Sequence, residues 1–194
     1  MIERRSLILA GLAACLTTGA TADEFATKTV EAARAQIGQT LIYDPSYVSI
    51  PFPNGDVPRR GGVCTDVLVR AFRDAHGIAL QARVNADMKR AFKAYPQIWG
   101  LKRPDSNIDH RRVPNLRRYL ERRGKSLGVS DDPAAYKAGD IVSWILPSNM
   151  THIGLVSDRK VSGTQRPLII HNIGSGTQEE DVLFEFKITG HYRP

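Results

Sequence analysis

The sequence predicts an α+β domain over residues 23–194. Three observations carry this reading. Apolar residues repeat with helical spacing up to about residue 124, and short apolar runs bounded by turn residues take over after residue 139. The composition, 42% hydrophobic and 24% charged in 194 residues, is that of one ordinary globular domain. It excludes a disordered tail protein, a collagen-like repeat and a polytopic membrane protein. Helices first and strands later indicate an antiparallel sheet packed against the helices.

Each element has its own signal. Phe25, Val30, Ala33 and Ile37 give residues 24–38 an amphipathic stripe, with Gly38 to end it. Residues 43–63 read as a loop rich in Pro and Gly. A second helix opens at Cys64, carries Val67, Leu68, Ala71 and Phe72, and stops at Gly77. Asn85 reads as the N-cap of a third, which runs through Met88 and Phe92 to Tyr95. A fourth begins at Pro114 and packs Leu116, Tyr119 and Leu120. Residues 140–146, 151–158 and 167–173 are apolar strand candidates, and alternation over residues 182–189 predicts another half-buried strand.

The first 22 residues read as an export signal. Arg4-Arg5 precede a short apolar run, and Ala20-Thr21-Ala22 supplies small residues for cleavage. Leu12-Ala13-Ala14-Cys15 also resembles a lipobox, the alternative that would place a lipid on Cys15 and tie the protein to a membrane. Either way the expectation is an exported, periplasmic protein. Cys15 and Cys64 are the two cysteines. Cleavage removes the first and lipidation consumes it, so Cys64 is left as a lone thiol in an oxidising compartment.

The chain has 27 basic and 20 acidic residues. Nine of the basic ones, against three acidic, lie between residues 102 and 125. Most of this insertion reads as a solvated helix face; the functional alternative is a patch toward anionic envelope polymers. No zinc finger or aromatic-interleaved motif supports a nucleic-acid partner.

Cys64 is the leading chemical candidate. It follows Gly61-Gly62-Val63 and starts a helix, where unpaired N–H groups stabilise a thiolate and an oxyanion. The expectation is therefore a lowered thiol pKa. Two histidines fall on consecutive strand candidates, His152 in His-Ile-Gly and His171 in Ile-Ile-His-Asn. Side by side, one would take the thiol proton and the other would fix its tautomer. His76 lies at the far end of the Cys64 helix and cannot reach back, His110 sits in the basic loop, and His191, near the end of the chain, reads as a packing or surface residue. A zinc site from Cys64, His152 and His171 ranks below the thiol enzyme, since no ligand pair is closely spaced. Gly124-Lys125-Ser126 lacks the upstream glycine of a P-loop, whose position holds Tyr119.

The stretches around Cys64 (Gly61 to Asp66), Gly139-Asp140-Ile141-Val142-Ser143-Trp144, His152-Ile153-Gly154 and Ile170-His171-Asn172 resemble the NlpC-type cell-wall peptidases, which have a papain-like fold. Over nearly the whole chain after the leader, Tyr43-Asp44-Pro45, Asn107-Ile108-Asp109-His110-Arg111-Arg112 and Ile188-Thr189-Gly190-His191-Tyr192 resemble the YijF-like family of exported bacterial proteins. The NlpC resemblance implies a cysteine amidase or peptidase acting on peptidoglycan peptides without a cofactor or metal. Cys64 would be the nucleophile, His152 the base and His171 its orienter. Tyr43 or Tyr47 would assist, with Asp66 and Asn172 as further substrate-side candidates. Val63 stands where those enzymes carry an acid. The alternatives are a non-catalytic envelope-binding module of the same fold and acyl transfer by the same thiol.

Overall fold

A computed structural model describes the chain from residue 16 to residue 194, and its side chains from residue 21. Cys15 and most of the segment expected to be an export signal lie outside the described residues. Among the described residues the chain forms four α-helices, α1 (Leu16–Arg34), α2 (Cys64–His76), α3 (Leu80–Ala91) and α4 (Val113–Arg122). A six-stranded antiparallel sheet follows in the order β3-β8-β4-β5-β6-β7. Its strands are β3 (Ser126–Leu127), β4 (Ile141–Ile145), β5 (Thr151–Lys160), β6 (Pro167–Asn172), β7 (Thr177–Glu180) and β8 (Lys187–Tyr192). Two short parallel strands, β1 (Ile42–Tyr43) and β2 (Gly61–Gly62), stand apart from it.

The apolar stripe of α2 explains the centre of the fold. Val67, Leu68, Ala71 and Phe72 are buried against Val30 and Ala33 of α1 and against Ile141, Ile153, Leu155 and Ile170 of the sheet. Gly77 ends the helix in the left-handed conformation, with φ 64°. Thr65, Asp66 and Arg70 on the polar side of α2 are buried as well. Arg70 donates to Asp56, Thr40 and the carbonyls of Val57 and Gly61, so it ties the proline-rich loop to the helix.

The opposite face of the sheet is also covered. Val142, Trp144, Val156 and Ile169 pack there with Tyr136 and Leu183, and the Trp144 indole donates to the Leu183 carbonyl at 2.9 Å. This corrects the strand expected over residues 182–189. Leu183 is fully buried while Phe184 is exposed, residues 182–186 form no strand, and only residues 187–189 enter one, as the start of β8, which lies between β3 and β4. Alternation in sequence was overridden by the need to cap Trp144. Asn85 is likewise not an N-cap. α3 starts five residues earlier, because the Gln81 side chain bonds Gly55, Pro51 and Ser106 and so buries the first turn.

Candidate functional site

Cys64 is the first residue of α2, after Val63 in extended conformation. Asp66 reaches back to accept the Val63 N–H at 2.7 Å. Gly62 permits this, since a Cβ there would sit 3.0 Å from the Asp66 Oδ2. Asp66 also accepts from Arg111 Nε at 2.9 Å and Nη2 at 3.0 Å, in a pair almost wholly buried. The Asp66 carboxylate is thus engaged in holding the helix start and the turn at Asp109–Arg111 together. Thr65 adds a bond to the Arg111 carbonyl at 2.9 Å.

The thiol is 3% exposed. Its neighbours are the N–H groups of Thr65 and Ile153 and the hydroxyl of Tyr43, all of which favour the anion. Burial is the largest influence and pushes the thiol up to about 12, with the Asp66 charge adding to the rise. This corrects the expected lowering: the helix start donates as foreseen, but dehydration and a nearby carboxylate outweigh it. The resting sulfur at neutral pH is a thiol.

His152 and His171 are brought together. The Nε2 of His152 lies 2.8 Å from Nδ1 of His171, and the Nε2 of His171 lies 2.9 Å from Glu180 Oε2 on β7. Gly154 makes the first contact feasible, because a Cβ there would come within 2.7 Å of Ile169 and 3.1 Å of the His171 Cβ. Burial pushes His152 down to about 3, with the neighbouring His171 adding to the shift. Burial also lowers His171, against the pull of Glu180.

With both rings neutral, the hydrogen-bond pattern assigns the protons. A carboxylate can only accept, so neutral His171 donates its Nε2–H to Glu180. Its Nδ1 is then a lone pair and accepts the Nε2–H of His152. The Nδ1 of His152 must therefore be a lone pair, which is the tautomer of a general base.

Cys64 and His152 meet the start of β5 from different sides. Ile153, whose N–H meets the sulfur, packs with α2. His152 pairs with Trp144 on the other face, with ring centroids 5.8 Å apart. A direct thiol–imidazole hydrogen bond is not formed among the described residues.

The remaining predicted residues separate clearly. Tyr43 borders the thiol, and burial with the neighbouring sulfur pushes its hydroxyl up to about 12. Tyr47 instead bonds Asp105 and Asn107 and is turned to solvent. Asn172 is fully buried and donates to the Gly62 carbonyl at 3.0 Å and to that of Ile42 at 3.4 Å. It joins the end of β6 to the two short strands that carry Tyr43 and lead into Cys64. Asn172 is thus a positioning residue in this geometry.

Cys64 and Tyr43 open into a cleft of about 430 Å³, walled by Ile98, Trp99, Arg111, Arg112 and Met150 among others. Several cations of the basic segment are engaged within the fold. Arg111 is buried on Asp66, Arg122 pairs with Asp87, Arg117 bonds Tyr192 and the Thr189 carbonyl, and Arg112 lies against Trp99. Among the described residues, no three His, Cys, Asp or Glu side chains cluster as a metal would need.

A family model described as "Domain of unknown function (DUF1287)" matches residues 30–194. The chain belongs to this family. "Uncharacterized protein YijF" of Escherichia coli (strain K12) is 56% identical over 164 residues, which are 84% of this chain and 78% of that protein. The family match spans every residue of the site, from Tyr43 to Glu180.

Glu180 and the Trp99–Arg112 pair are the parts that sequence reasoning missed. Glu180 stands in Gln178-Glu179-Glu180, a run with no apolar residue to mark a strand. Its spacing from His171 becomes meaningful only through the β6–β7 register, where His171 faces Gln178.

Proposed function

We propose that this protein is an exported cysteine hydrolase of papain-like, NlpC-type fold that cuts an amide bond in peptidoglycan peptides. The observation that carries the reading is the hydrogen-bonded chain from Glu180 through His171 to His152, which leaves a neutral imidazole with its free lone pair beside the start of β5. A buried pair of histidines needs a partner for every nitrogen, and a chain ending in one unclaimed acceptor is the arrangement a general base requires.

Because the resting thiol is protonated, attack follows general-base catalysis. Substrate binding brings the thiol and Nδ1 of His152 into hydrogen-bond reach, a closure that free enzymes commonly leave incomplete. As the S–C bond forms, the thiol proton passes to His152 Nδ1. The Thr65 and Ile153 N–H groups, already beside the sulfur, favour the thiolate character it gains as its proton leaves. His152 then gives the proton to the leaving nitrogen, the C–N bond breaks, and an acyl-enzyme remains. Water, deprotonated by the same nitrogen, releases the carboxylic acid and restores the thiol. His171 keeps the base in one tautomer, and Glu180 keeps His171 in its own.

The test is digestion of purified muropeptides followed by mass spectrometry. Wild-type protein is expected to add one water across one amide bond, and Cys64→Ala to leave the substrate intact. Identical intact substrate with both proteins would leave the second reading, a non-catalytic envelope-binding module of the same fold, which the deep burial of the thiol favours.

A further inference from the structure

The cleft at Cys64 has two arginines on its wall, and no Asp or Glu among the described residues that line it. The two differ in what they have left to offer. Arg111 is 6% exposed, and its guanidinium donates to Asp66 and to the carbonyls of Ser46 and Asp44. Its charge is balanced within the fold. Arg112 donates one N–H, from Nη1, to Asp109 at 3.1 Å. Its Cζ lies 4.2 Å from the ring centroid of Trp99, a cation–π contact that holds the group at the cleft wall. Its Nε and Nη2 make no hydrogen bond among the described residues.

A guanidinium edge with two parallel N–H groups matches a carboxylate in a way an ammonium does not. Asp109 is buried and accepts also from the Asp105 N–H and from Asn115. It therefore fixes one end of Arg112 and leaves the other edge free. Ile98, Ile108, Val113 and Met150 give the cleft that Arg112 lines an apolar surface, where a directed, charge-assisted bond is stronger than in open water.

We propose that Arg112 is the specificity residue of this cleft: its free edge binds a carboxylate of a peptide substrate, so the protein accepts peptides that carry a free carboxylate near the scissile amide and discriminates against their amidated forms. The proposal rests on the hydrolase reading above and names its substrate class.

Binding to the full chain bearing Cys64→Ala tests it without turnover. The probe is one purified muropeptide, used native and after carbodiimide coupling to ammonia, which turns each carboxylate into a neutral amide. Trp99 fluorescence reports occupancy, because the other tryptophan, Trp144, is sealed on the far face of the sheet. The native form is expected to bind about 10- to 100-fold more tightly than the amidated one, the range of a charge-assisted hydrogen bond.

Adding Arg112→Gln should bring the two affinities together by weakening the native form alone. Arg112→Lys should keep only part of the preference, and Arg118→Gln, outside the cleft, all of it. Should Arg112→Gln fail to fold, the Lys variant carries the comparison. Equal affinities before Arg112 is changed, no binding of either form, or a preference that survives both Arg112 substitutions would overturn the proposal. Failure of the hydrolase reading is seen separately, as wild-type protein that leaves the native muropeptide uncut.

Discussion

Removing the acceptor at His171 probes the proton chain most sharply. His171→Ala leaves the Nε2–H of His152 without its 2.8 Å partner, in a ring that is 2% exposed. An unsatisfied buried donor costs about 1–3 kcal/mol. For a chain of this size that is a fall in Tm of roughly 2–4 °C per kcal/mol. The catalytic loss should be larger. With no acceptor at Nε2, the proton is free to move to Nδ1, and the tautomer that cannot accept from the thiol becomes populated. Loss of an orienting partner of this kind lowers kcat by roughly 10²–10⁴-fold. His171→Asn tests the cause, because the amide oxygen can accept where Nδ1 did. It should recover most of the stability and part of kcat, while KM stays near wild type in both variants. Muropeptide hydrolysis followed by mass, beside thermal unfolding, reads all of these. If His171→Ala retained wild-type kcat and Tm, the tautomer argument would be refuted.

Three further outcomes follow from the same geometry. Gly154→Ala forces a methyl to within 2.7 Å of Ile169, so β6 must shift; a loss of about 1–3 kcal/mol is expected, with kcat falling more than KM rises, and unchanged kinetics would contradict it. Asp66→Asn strips the countercharge from buried Arg111 and should destabilise by about 3–5 kcal/mol, read as a fall in the denaturation midpoint. Stability should also decline with acidification before the carboxylates titrate. His110 and His152, pushed down by burial to about 4 and about 3, stay neutral when folded and take up protons when unfolded near pH 6.5. The unfolded state then binds more protons, so stability that is present above pH 6.5 is lost progressively down to about pH 3. A Tm flat from pH 7 to pH 4 would rule this out.

Local patterns were legible in the sequence where one element decided the outcome. The stripe of α2 and the glycine after it fixed that helix to within a residue, and with it the place of Cys64 at a helix start. Two histidines on consecutive apolar runs were readable as neighbours because antiparallel strands joined by a short turn pair side by side. What depended on distant packing was not readable. Arg111 looked like one charge in a basic run, yet its partner Asp66 lies 45 positions earlier. The thiol looked activated by its helix, yet β5 and the loop before α2 bury it. Glu180 carried no strand signal, because an edge strand has too few buried positions to show a period.

The proposed chemistry turns on where one proton sits in the resting protein. Nitrogen NMR of the ring-labelled histidines at neutral pH, with His152 assigned by substitution, locates it directly. The prediction is a neutral His152 with the proton on Nε2 and a bare Nδ1. A proton on Nδ1, or an imidazolium with both nitrogens protonated, would contradict it.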